Sequence, residues 1–257
     1  MRAASSVAPA VQAPDTRRLI ALIAWRAALE SLRDRTTLLV SAFFALVFPT
    51  FLVVTAIRPA AVNATTAQQQ AALGGLIAVF LLAVGLLPTT ASTGIAAGQF
   101  AGEKEQGNLA PLLASPASNL AIFAGKVLGA VIPTVFYAVV AEALFVAEIA
   151  VLAGPQWLAH VPLALALSMV VLVPEVAIFG ATVASLISSR VRTYNSAQQI
   201  TSFVLLPVTF AFVFLASNLQ AWGPIGPLAA VLITAGVDAA LIIAGARTWR
   251  REEVLAR

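Results

Sequence analysis

Cysteine is absent, and histidine occurs once, at His160. The first absence excludes disulfides, thiolate metal sites and cysteine nucleophiles, and the second excludes a histidine-rich metal centre. Charge is scarce as well: 10% of the 257 residues are Asp, Glu, Lys or Arg, where soluble domains carry about a quarter, while 60% are hydrophobic. Such a composition belongs in a bilayer. A Walker A loop is also missing. The only Gly-Lys, Gly125-Lys126, is followed by Val127 and has Leu120 where the motif's first glycine belongs. Without that backbone cradle for phosphate, ATP is not expected to be bound or hydrolysed by this chain, and it needs no cofactor of its own.

What the sequence does contain is a series of uncharged apolar runs, each near the twenty or so residues that cross about 30 Å of hydrocarbon. They lie at Leu38 to Ile57, Ala72 to Ala96, Val127 to Ala153, Pro162 to Ser188, Ile200 to Ala216 and Ile225 to Ala246. The expected fold is therefore all-α and polytopic, with six transmembrane helices. Pro49, Pro88, Pro133, Pro174 and Pro207 fall inside these spans, where missing backbone hydrogen bonds shape helix packing. Gly94, Gly98 and Gly102 follow at a spacing that permits close helix contact.

Residues 1–14 are rich in Ala, Ser and Pro and read as a disordered tail; residues 15–257 form one permease-like membrane domain. Arg17-Arg18 does not open an export signal, because the apolar stretch after it is broken by Arg26. Residues 15–35 read instead as an amphipathic helix lying in the headgroup layer. Leu19, Leu22, Trp25, Leu29 and Leu32 repeat at helical spacing, and Arg26 can pair with Glu30 on another face.

Of the 15 Lys and Arg, 14 fall on one side when both termini share it, and Arg58 alone falls on the other. The positive-inside rule makes that side cytoplasmic, so both termini are inside, and the net charge of +4 reflects topology, not nucleic-acid binding. Glu252-Glu253-x-x-x-Arg257 matches a pattern of some intramembrane proteases but lies beyond the last span, where no water-excluding site can be built.

The polar interval 99–126, between the second and third spans, is the most unusual in the chain. Its run Gly102-Glu-Lys-Glu-Gln-Gly-Asn-Leu-Ala-Pro-Leu-Leu-Ala-Ser-Pro116, followed by Gly125-Lys126, resembles the cytoplasmic signature of type-2 ATP-binding-cassette (ABC) transporter permeases. Gly102, Glu103, Glu105, Gly107, Leu109, Leu112, Leu113, Pro116, Gly125 and Lys126 carry the match, and Asn108 departs where Thr is common. Arg33-Asp34-Arg35-Thr36 before the first span and Arg250-Arg251-Glu252-Glu253 after the last agree with it. The resemblance implies a coupling helix with Glu103, Lys104 and Glu105 exposed and the leucines on an apolar side. That helix docks on a separate ABC ATPase subunit, which holds ATP and Mg. It also implies a second permease copy or paralogue, and export across a bacterial plasma membrane.

Four carboxylates fall inside the spans: Glu142, Glu148, Glu175 and Asp238. Each costs about 2.5 to 3.5 kcal/mol at a helix centre unless it is protonated, hydrated or hydrogen-bonded. Glu142 and Glu175 lie near mid-depth by helix rise and could meet, either lining a translocation path for a cation or bonding neighbouring helices. Glu148 lies nearer the outer surface, and Asp238 reads as a helix contact. Two rival readings remain: a secondary transporter coupled to ions through these acids, and a membrane scaffold.

Overall fold

Helices form wherever a long apolar run contains no segment that satisfies its backbone better another way, and in a bilayer no alternative exists. The computed structural model describes residues 15–33, 35–108, 114–115, 117–223 and 225–249. Among these residues there are no strands, and 91% of them are helical. Helix α1 spans Thr16–Arg33. Six helices long and apolar enough to cross a membrane follow. Helix α2 runs Arg35–Leu52, then through a π turn at Val53–Ile57 into Arg58–Asn63. Helix α3 runs Ala67–Ala97, with a π turn at Gly98–Gly102 and a last turn at Glu103–Glu105. Helix α4 is Asn119–Glu148 with a π turn at Ile149–Ala153, α5 is Leu163–Arg190, α6 is Tyr194–Asn218 and α7 is Ile225–Thr248.

All five prolines lie within helices, as the sequence suggests. The connections are shorter than expected. The polar stretch after Arg58 is mostly helical, leaving Ala64 to Thr66 as the turn. There a capping box starts α3: Thr66 Oγ1 accepts from Gln69 N at 3.3 Å, and Gln69 Oε1 accepts from Thr66 N at 3.0 Å. Ser118 caps α4 by accepting from Ala121 N at 3.1 Å. The turn after α4 is a 3-10 helix, Pro155–His160, in which His160 Nδ1 contacts the Gln156 carbonyl at 3.0 Å.

Helix α3 is the most buried span and occupies the centre, packed by α2, α4, α5 and α6; α6 is the most exposed. Apolar clusters follow one another along the bundle. One, at the end where α1 and Trp249 meet, centres on Phe100, Phe123 and Val127. Another is built on Leu82, Met169 and Leu172, and a third on Val53, Ile77, Phe145 and Trp157. Because α1, the α3–α4 connection and Trp249 share the first cluster, both ends of the described chain lie at the same end of the bundle.

The amphipathic helix turns a different stripe inward from the one its leucines mark. Ala24 and Ala28 are buried, Ile20 and Ile23 are partly so, and Leu22 and Trp25 stay exposed. The reason is Gly125 and Gly129 on α4: a Cβ on Gly125 would stand 2.8 Å from Ile23, and one on Gly129 would stand 2.5 Å from the Ala27 Cβ. Small residues on both helices bring the backbones together, and the larger apolar side chains are left for the surroundings. Gly129→Val should therefore lower the thermal unfolding midpoint in detergent, by a destabilisation of about 1–3 kcal/mol. Gly236→Ala, which meets nothing within 4 Å, should be neutral or stabilising in the same assay.

Candidate functional site

The π turn at the inner end of α3 breaks the regular hydrogen-bond ladder and leaves polar backbone groups to be satisfied from outside. Two neighbours supply partners. Ser188, in the last turn of α5, donates to the Ala97 carbonyl at 2.5 Å, and its oxygen accepts from Ala101 N at 2.9 Å. Lys126, two turns into α4, donates to the Gln99 carbonyl at 2.5 Å and pairs with Glu103 Oε2 at 2.6 Å. The ammonium also lies 4.9 Å from the Phe100 ring centre. Phe100 is held between Phe123 at 6.3 Å and Trp249 at 5.5 Å, and Asn119 donates to the Trp249 carbonyl at 3.3 Å. Four elements, α3, α4, α5 and the end of α7, are thus fixed around one turn.

Immediately beyond it the helix is stopped by design of its last residues. Asn108 N donates to the Glu103 carbonyl at 2.8 Å and Gly107 N to the Lys104 carbonyl at 3.1 Å, with Gly107 at φ +70°. This Schellman geometry needs a left-handed residue at the position Gly107 occupies, and a side chain there is strained. The Glu-x-Gly spacing of the signature is therefore a helix stop, and its Gly125-Lys126 is a helix seat joined to a buried cation. The interval 99–126 is consequently less of a loop than expected. Residues 99–105 continue α3 and residues 119–126 begin α4, which is possible because α3 and α4 are 39 and 35 residues long with their π turns, well beyond one membrane thickness.

The three charges expected on the exposed side divide. Glu105 is exposed, Lys104 is half-buried, and Glu103 turns inward to Lys126. Leu109, Leu112, Leu113 and Pro116 lie outside the described residues, as do residues 1–14, Asp34 and Arg250 to Arg257. Gly102 has open space around it, whereas Gly94 and Gly98 face Tyr194. Between α1 and the α3–α4 connection opens a cavity of about 850 Å³, walled by Ile23, Arg26, Glu30, Glu103, Asn108 and Lys126 among others. Arg26 and Glu30 pair across its rim at 2.9 Å, as their spacing suggests.

The intramembrane acids are distributed differently from the sequence expectation. Glu142 is buried against Gly85 and Val173; a Cβ on Gly85 would stand 2.7 Å from its Oε1. Glu175 instead stands near Thr234 and Asp238 of α7. Val173 and Glu175 are two residues apart on α5, about 200° around the helix, so the side that meets Glu142 cannot also present Glu175. Glu148 accepts from Thr50 on α2 at 2.6 Å.

Residues 18–225 match the family model for the ABC-2 type transporter. The chain belongs to the ABC-2 type transporter family. No curated protein matches it. The match covers α1 through the start of α7, so it takes in the connection, the π turn and every residue that holds them except Trp249. This ABC-2 family member is a multi-pass membrane transport component. Ser188, Gln99, Phe100 and Trp249 were not legible as parts of its inner block. They carry no motif, and only the folded chain shows that a π turn leaves groups for them to satisfy.

Ser188→Ala removes both partners of the turn at once and should destabilise the ABC-2 protein by about 1–3 kcal/mol, read as a lower unfolding midpoint. Lys126→Met should act similarly. The double variant should lose less than the two single losses combined, because both residues hold one turn.

Proposed function

We propose that this chain is the membrane-spanning subunit of an ABC exporter, driven by ATP that a separate Mg-dependent ATPase hydrolyses. The observation that carries this reading is the inner block itself. A helix end stopped at Gly107, anchored by Lys126 to α4 and by Ser188 to α5, gives a soluble partner a rigid handle on three spans. Glu105 and Gln106 stand exposed at its tip, and the cavity beside α1 offers a polar recess for the partner to enter. Gly102, Glu103, Lys104, Glu105, Gly107, Leu109, Leu112 and Leu113 form the ATPase-facing segment in this reading. ATPase closure then moves the block, and α3, α4 and α5 move with it.

A second copy or paralogue completes the pathway. Asn195, Gln198, Gln199 and Ser202 lie exposed on α6 beside Phe203, which is 83% exposed. Polar side chains on a spanning helix are costly against lipid, and a matching helix from another copy covers them. Glu142 and Glu175 contribute to the path inside each copy. The positive-inside distribution supports a bacterial plasma membrane with the inner block in the cytoplasm. An ion-coupled secondary transporter is the second reading, favoured by the buried acids, and it would need no ATPase.

The missing cysteines make topology directly testable. Gln106→Cys should react with a membrane-impermeant maleimide in inverted vesicles and not in intact cells, whereas Gln68→Cys should do the reverse. Affinity purification from native membranes should also recover a protein with a Walker A loop, and transport in vesicles should require ATP. Labelling of Gln106→Cys only from outside would defeat the reading, and ATP-independent transport would favour the ion-coupled one. A variant with Glu142→Gln and Glu175→Gln should keep the ATPase bound and lose at least about tenfold in transport rate.

A further inference from the structure

Away from the inner block, two acidic side chains stand near one another at the α5–α7 interface, and three of their four oxygens have no hydrogen-bond partner among the described residues. The buried positions of α7, Pro227, Thr234, Asp238 and Gly245, form one stripe. Asp238 is 4% exposed. Neither of its carboxylate oxygens has a hydrogen-bond partner among the described residues, and Glu175 Oε2 has none either. The Glu175 carboxyl lies near Thr234 and near Asp238, which is one helical turn from Thr234. The single O–H of Thr234 donates to the Ala230 carbonyl, so it serves neither acid. The neighbouring helices add few titratable groups: α3 has none between Ala67 and Ala97, α6 has only Tyr194 at its start, and α4 carries Tyr137 and Glu142, the latter against Gly85 of α3.

A site made of acceptors calls for a ligand that brings donors and positive charge. Two carboxyls and a hydroxyl are too few for calcium or magnesium, which take six or more oxygens. No group of three His, Cys, Asp or Glu exists among the described residues to add to them. An ammonium has the required N–H donors, and two carboxyls sharing one proton present a single negative charge to a monocation. The wall one turn along α5 from Glu175 is aromatic: Phe179 meets Phe212 of α6 edge-on, with ring centres 6.4 Å apart. Aromatic faces attract cations, and Leu172, Val176 and Val231 add an apolar lining nearby.

We propose that Glu175, Thr234 and Asp238 bind the ammonium group of a lipophilic amine, with its apolar body against Phe179 and Phe212. This deepens the transport reading by naming the substrate class and rests on it for its purpose, but binding itself needs no ATPase. The test uses the full chain in lipid nanodiscs and a dansylated alkylamine, with the same molecule N-acetylated as the uncharged control. Saturable binding above empty nanodiscs is expected for the amine and not for the acetylated form. Asp238→Asn and Glu175→Gln should each raise the Kd at least about tenfold, whereas Glu148→Gln, bonded to Thr50 elsewhere, should leave it unchanged. If Asp238→Asn fails to yield monodisperse protein, half-buried Glu175 decides the question. The site is overturned by no saturable binding, by equal affinity for the acetylated form, or by undiminished binding in Glu175→Gln. ATP-driven transport without amine binding overturns this inference and leaves the proposed function standing. Amine binding by a chain that recruits no ATPase supports the site and overturns the ABC mechanism.

Discussion

The inner end of the bundle depends on one buried ammonium. Lys126 is 2% exposed, and a lysine withdrawn that far from water is tolerated only when charge-assisted hydrogen bonds replace its hydration. The Gln99 carbonyl, inside the π turn, and Glu103, just after it, provide them. The irregular turn and the buried cation are thereby tied together. An apolar residue at position 126 would strand the carbonyl.

From that coupling follows the mechanical character of the block. Ser188 ties α5 to the same turn, Gly125 and Gly129 seat α1 on α4 at contact distance, and Phe100 joins the turn to Trp249. Close-packed elements with their polar groups satisfied do not deform gradually; they move together or repack. Displacement of the tip at Glu105 is transmitted to three spans without a flexible joint, because Gly107 places the change of chain direction beyond the anchored turn.

The six spans were legible because hydropathy reports a strict physical constraint, and the structure moves their ends without altering their number. The signature residues were legible as a pattern, but not what each does. Gly107 proves to be a helix stop and Gly125 a contact surface, both properties of backbone geometry that spacing alone does not display. The stripe by which α1 packs on α4 was not legible for a related reason. Large leucines dominate a periodicity reading, whereas the close approach to Gly129 selects Ala24, Ala27 and Ala28. Helix rise offered Glu142 and Glu175 as residues that could meet, yet depth carries no information about which side of a helix a residue occupies. A 200° rotation between Val173 and Glu175 sends the two acids to different neighbours.

The fates of the four acids follow from what stands opposite each. Glu148 meets the Thr50 hydroxyl, a donor. Glu142 meets a glycine, which gives its carboxyl room without giving it a partner. Asp238 and Glu175 lie near one another without hydrogen-bond donors, and the hydroxyl beside them already donates to its own helix. Only this last arrangement combines two acids, a shortage of donors and an aromatic neighbour at a helix interface. Packing alone would be better served by apolar residues of similar size, since replacing buried ionic groups by hydrophobic ones is often neutral or stabilising. Acids retained there at a cost to stability are explained by a ligand that completes them. A transporter has reason to keep such a site incomplete between cycles, because a site satisfied by its own side chains has nothing to gain from substrate.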